Sequence, residues 1–191
     1  MKCFLFLFNF IAIYSIGSAL DKPVQEIKKK DNYTIQRLML YNKSGKILME
    51  KNAFGWMTPA IRSNENQSLK EGLSGLAKKI GVEITPFHLR GIFTYKFEGL
   101  SDHTGLVSYR THYEAKVKSG EIIQPESKSI RYEWLTVNQA KDSISHPGLK
   151  AEFVQMAKQP DKIWSGSFLC VFKDDKLESV RQIEAFYTLN K

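Results

Sequence analysis

The chain has 191 residues, with 28 Lys and Arg against 20 Asp and Glu for a formal net charge of +8, and 42% of it is hydrophobic. That length suits one domain with a sizeable core rather than several domains. The positive balance attracts anions in general, but no Arg-rich tract or basic-aromatic helix accompanies it, so nucleic acid is not indicated.

Met1-Lys2-Cys3 is a short basic start, Phe4 to Ile16 is an apolar run of 13 residues, and Gly17-Ser18-Ala19 supplies small residues for a signal peptidase. This reads as a secretory signal peptide over residues 1–19, cleaved after Ala19, because a membrane span needs about 20 apolar residues. No membrane anchor is then expected after cleavage, and the protein is expected to be secreted or periplasmic. Removing 19 residues from 191 leaves 172, and removing Lys2 takes +8 to +7. Only Cys170 remains, within Phe168-Leu169-Cys170-Val171-Phe172. No internal disulfide forms, and a buried inert thiol is expected there.

Residues 20–32 are polar and Lys-rich and read as a linker, with the folded domain over 33–191. Tyr33 to Tyr41 and a segment starting at Ile47-Leu48-Met49 read as strands joined by the turn Asn42-Lys43-Ser44-Gly45. Gly55 to Gln67 reads as a loop. Ser68-Leu69-Lys70-Glu71 matches a capping box, Leu69, Leu73, Leu76 and Ile80 make one apolar helix face, and Gly81 ends the helix. Gly72 and Gly75 inside it each cost about 1 kcal/mol relative to Ala, so either something packs closely there or the helix tolerates them.

His88 to Phe97 is the next strand, followed by a loop over Gly99 to Gly105. Leu106 to Val117 alternates, with Val107, Tyr109, Thr111, Tyr113 and Ala115 on one side and Ser108, Arg110, His112 and Glu114 on the other. Arg110 and His112 either line an anionic cleft or face solvent. Ile130 to Leu135 reads as a strand, Thr136 caps a short helix, and Pro147 to Lys158 forms another with Leu149, Phe153 and Met156 on one face. Ser167 to Phe172 and Gln182 to Leu189 close the chain as a hairpin around Asp174-Asp175, within an extension over 159–191.

The window from Ala60 to Val82 carries apolar and turn residues at Leu76, Gly81 and Val82, and Trp56-Met57-Thr58-Pro59-Ala60 precedes it. Downstream lies Arg131-Tyr132-Glu133-Trp134-Leu135-Thr136. Together these resemble the Nudix hydrolase family, whose box reads G-x5-E-x7-R-E-U-x-E-E-x-G-U after a W-x-x-P-G lead-in. The resemblance runs from about Tyr33 to Met156. It implies an α/β fold: a Nudix-like mixed sheet sandwiched between helices, here with an added C-terminal β-hairpin.

The family's charged box positions fall on Asn66, Ser74, Gly75, Lys78 and Lys79, so no carboxylate is kept. Family members cleave nucleoside diphosphate derivatives with divalent cations held by box glutamates. Mg²⁺ takes oxygen ligands at about 2.0–2.1 Å and is held through carboxylates and substrate phosphate. A lysine ammonium about 4 Å from a cation is repelled by roughly 4 kcal/mol per unit charge at an effective dielectric near 20.

Three readings follow. The first is a non-catalytic or impaired binder of nucleotide or pyrophosphate-like anions, with Lys78, Lys79, Arg110 and His112 as candidate binding residues. The two lysines are otherwise solvated charges at a helix end. The second is a hydrolase with relocated metal ligands, Glu71 and Glu126 foremost, in which case alone Mg²⁺ is the cofactor. The third is a structural or interaction protein. On the first reading no metal site and no cofactor are expected.

Overall fold

The computed structural model describes residues 34–62, 67–100 and 107–190. The expected signal peptide, the linker, the box position Asn66 and most of the loop after Gly99 lie outside the described residues.

In chain order the strands are β1 (Ile35–Tyr41), β2 (Ile47–Asn52), β3 (Gly55–Met57), β4 (Ala60–Arg62), β5 (Val82–Ile84), β6 (His88–Glu98), β7 (Val107–Gly120), β8 (Arg131–Leu135), β9 (Trp164–Lys173) and β10 (Lys176–Thr188). The helices are α1 (Leu69–Ile80), α2 (Val137–Ser143) and α3 (Pro147–Lys158). Among the described residues the strands form one mixed sheet in the order β10-β9-β6-β7-β1-β2-β3, with β4 on β1, β5 on β7 and β8 on β2. The β1–β7 and β6–β9 pairs are parallel and the others antiparallel.

Local sequence rules account for most boundaries. Asn42 Oδ1 accepts from the amides of Ser44 and Lys46 and shapes the turn after β1. Ser68 and Glu71 close the expected capping box on α1, and Gly81 ends it at φ 98°, where only a residue without Cβ sits free of strain. Thr136 and Gln139 repeat the box on α2. The β9–β10 hairpin turns at Asp174 and Asp175, both left-handed at φ 51° and 57°, as a two-residue turn between twisted strands requires. That hairpin extends the main sheet along β6 and buries Trp164, Phe168 and Cys170.

The segment from Gly55 to Gln67 is not all loop. Its two three-residue strands, β3 and β4, pair with β2 and β1, and runs that short carry no readable alternation. β5 went unread for the same reason.

Helices cover both faces of the sheet. Leu38, Leu40 and Leu48 meet Leu73, Leu76 and Ile80 of α1 on one face. Met39, Phe93, Tyr95 and Phe168 meet Leu149, Phe153 and Met156 of α3 on the other. This double cover overturns the solvent-facing reading of β7. Ser108, Arg110 and His112 are buried on the α3 side of the sheet, where β7 lies between β6 and β1, whereas Val107 and Tyr109 on its other side are 40% and 52% exposed.

Candidate functional site

The face of the sheet under α3 carries a cluster of buried polar groups. Arg37 on β1, Tyr95 on β6, Arg110 and His112 on β7 and Glu152 on α3 are each at most 7% exposed. Strand alternation sets Arg37 on the same side as Met39, and Arg110 with His112. Glu152 lies three residues after Leu149 and four before Met156, within the apolar stripe of α3. Gly148 lets the first turn of α3 come down onto Tyr95, since a Cβ there would sit 2.6 Å from the phenol oxygen.

Glu152 is the hub. Its Oε1 accepts from the Tyr95 hydroxyl at 2.5 Å, and its Oε2 lies 2.9 Å from His112 Nε2. Burial pushes the His112 pKa below its ordinary value, against the pull of the Glu152 hydrogen bond and charge. The ring is therefore neutral and donates from Nε2. Burial, reinforced by the Glu152 charge, raises the Tyr95 hydroxyl well above the usual phenol range, so it keeps its proton.

With both carboxylate oxygens engaged this way, the arginines have no carboxylate of their own in hydrogen-bond contact. The Arg110 guanidinium lies 3.6 Å from the Tyr95 ring centroid. Arg37 Nη1 donates to the Thr58 carbonyl at 3.0 Å. The Nε–H groups of Arg37 and Arg110 both lack a partner. Burial, then the neighbouring positive charge of Arg110, lowers the Arg37 pKa to about 10. It remains cationic at neutral pH.

Both arginines open onto one cleft of about 510 Å³, bounded also by Glu50, Asn52 and Phe54 at the β2–β3 turn, Met57, Ile61 and Arg62, Phe97, Phe172 and Asp175. That size suits a small organic molecule. His146, the N-cap of α3, lines the cleft as well. Its Nδ1 accepts from the Leu149 amide at 3.2 Å, and burial followed by the charge of Arg110 lowers its pKa to about 4. A neutral ring with Nδ1 occupied as acceptor carries its proton on Nε2. Chemically the cleft offers guanidinium and imidazole N–H donors and the amino end of a helix to an anion.

Of the residues expected from sequence, Arg110 lines this cleft and His112 lies below it, bonded to Glu152. Lys78 and Lys79 are exposed on the last turn of α1, the helix on the opposite face, and line no part of the cleft. Glu71 is exposed and returns to the Ser68 amide at 2.8 Å, and that bond with the Ser68 hydroxyl holds its carboxyl below the usual range. Glu126 is exposed in the loop before β8. Arg37, Tyr95, His146 and Glu152 went unrecognised. Only Glu152, a charge inside an apolar helical stripe, left a legible sign.

The metal the resemblance implies has no fitting donor set. Ser74, Gly75, Lys78 and Lys79 occupy the box positions on α1, and among the described residues no three His, Cys, Asp or Glu side chains are grouped to hold an ion.

Solved structures establish the fold. The mutator MutT protein from Bacillus halodurans matches at a TM-score of 0.63 and 16% identity, over 78% of this chain and 97% of that one. A MutT protein from Methanosarcina mazei matches at 0.52 and 15%, over 68% of this chain and 96% of that one. The fold is Nudix-like. No protein-family model and no curated protein matches the sequence. At such identities the likeness carries the architecture and not the chemistry.

Proposed function

We propose that this protein is an exported binder of nucleotide-like organic anions, held in the Arg37–Arg110 cleft by side chains alone. The observation that supports it is the arginine pair. Two guanidiniums nearly withdrawn from water, neither in hydrogen-bond contact with a carboxylate, line one cleft of ligand size. Two buried cations with no carboxylate in hydrogen-bond contact favour an anion beside them, and a carboxylate or phosphate matches the guanidinium fork. Of the relocated hydrolase ligands foremost in the sequence, Glu71 is committed to the cap of α1 and Glu126 lies in an exposed loop. No observation favours that route, and none calls for nucleic acid or a membrane anchor. Export rests on the signal-like first 19 residues.

The test has two arms. Equilibrium binding of AMP in EDTA is expected to be saturable, and magnesium-dependent hydrolysis of ADP-ribose to AMP and ribose 5-phosphate is expected to stay at background. Magnesium-dependent turnover at enzymatic rates would overturn the reading, as would AMP binding that needs the metal.

A further inference from the structure

The charges around the cleft restrict the kind of anion. Beneath it lie Arg37 and Arg110 with one carboxylate, Glu152, so +2 and −1 leave +1. On its walls lie Arg62 against Glu50 and Asp175, so +1 and −2 leave −1. His146 is neutral, and its low pKa, set by burial first, keeps it so down to mildly acid pH. Summed over these six charged groups the cleft is neutral. The positive charge is buried and lightly screened, whereas the negative surplus lies on the walls. One anionic group meets the arginines. Every further one meets walls on which Glu50 and Asp175 outnumber Arg62.

The remaining lining is apolar. Met57, Ile61, Phe97 and Phe172 form walls. Phe54 stands 81% exposed at the tip between β2 and β3, its backbone fixed by donation from its amide to Asn52 Oδ1 at 2.9 Å and by Gly55 at φ 98°. A large aromatic ring held in water beside a ligand-sized cleft is a surface for stacking.

Building on the anion-binding reading above, we propose that the ligand is an amphipathic anion with one charged head, a phosphomonoester or a carboxylate, on a planar apolar body. The head enters to Arg37 and Arg110 and the body lies against Phe54. A polyphosphate is disfavoured.

Calorimetric titrations of the purified protein in EDTA test this with AMP, ADP, ATP, phenyl phosphate, benzoate and benzyl alcohol. AMP and phenyl phosphate are expected to bind, with ADP about tenfold weaker than AMP, the effect of one added like-charge contact at a partly screened site. The double variant Glu50→Gln, Asp175→Asn should bring ADP to within about twofold of AMP. Phe54→Ala, at an exposed position that leaves folding intact, should weaken phenyl phosphate about tenfold and leave inorganic phosphate unchanged. Phenyl phosphate against benzoate tells which head is preferred, and either preference supports the proposal. ADP or ATP binding the unaltered protein more tightly than AMP would overturn the single-charge inference while leaving the anion cleft standing. Benzyl alcohol binding as well as the anions would overturn it too. Failure of every anion to bind would instead remove the reading beneath it.

Discussion

Replacing Glu152 by Gln tests whether the buried cluster is organised around that carboxylate. Both of its oxygens face donors, the Tyr95 hydroxyl at 2.5 Å and the neutral His112 ring at 2.9 Å. An amide accepts from one of them and turns its NH₂ toward the other. One buried donor is then left unmet, at about 1–3 kcal/mol. The variant also removes the buried negative charge that favours the charged form of Arg37 through space, which adds to that cost although the two are not in hydrogen-bond contact. Because part of the hydrogen bonding survives, the expected loss is about 3 kcal/mol, or roughly 6–12 °C in Tm for a chain of this size. Urea unfolding followed by tryptophan fluorescence measures it. Tyr95→Phe alone is expected to cost about 1–2 kcal/mol. In the double variant the amide has only His112 to satisfy, so the two losses should fall short of their sum by about 1 kcal/mol. A loss below about 1 kcal/mol for Glu152→Gln, or strict additivity in the cycle, would refute a carboxylate hub.

Three further outcomes are expected. Burial and Arg110 hold the His146 pKa at about 4 in the folded chain, and burial also lowers that of His112, so the unfolded state binds more protons below about pH 6.5. The stability from these neutral rings is complete above that pH and lost as pH falls, His146 alone accounting for on the order of 3 kcal/mol between pH 6.5 and 4. Urea midpoints that hold constant over that range would contradict it. Gly75→Ala should stabilise by about 0.5–1 kcal/mol, since its Cβ would meet nothing nearer than Gln67 Nε2 at 3.9 Å. Gly72→Ala should gain less, because its Cβ would sit 2.7 Å from Ile61 Cδ1, and equal gains in thermal denaturation would refute the distinction. Lys78→Glu with Lys79→Glu, both exposed near a helix C-terminus, should cost no more than about 1 kcal/mol and leave AMP binding in EDTA unaltered, whereas loss of that binding would place the ligand on α1.

The fold was legible where local chemistry and global packing agree. Ser68 with Glu71, Thr136 before α2, Pro147 opening α3 and the Asp174-Asp175 turn each announce their element, and the closing hairpin follows from two apolar runs around that turn. The two helix glycines left close packing and tolerance open, and both hold: Ile61 packs against Gly72, while Gly75 is open.

The cluster was not legible because alternation tells which residues share a face but not what covers it. By ordinary alternation Arg110 and His112 read as a solvent row, and the position of β7 between β6 and β1, with α3 on that side of the sheet, buries them. Arg37 gives no local sign at all, flanked by Gln36 and Leu38 on an ordinary strand. The box helix drew notice for the charges it lacks, whereas the unpaired arginines lie on the other face of the sheet.

The most direct measurement is the affinity of AMP in EDTA for the unaltered protein and for Arg110→Ala. That variant removes a donor from the cleft and relieves the repulsion on Arg37, so it is expected to fold. Metal-free binding to the unaltered protein is expected, with a loss of about 30-fold in the variant, the worth of one charge-assisted contact. Equal affinities for the two proteins would contradict it.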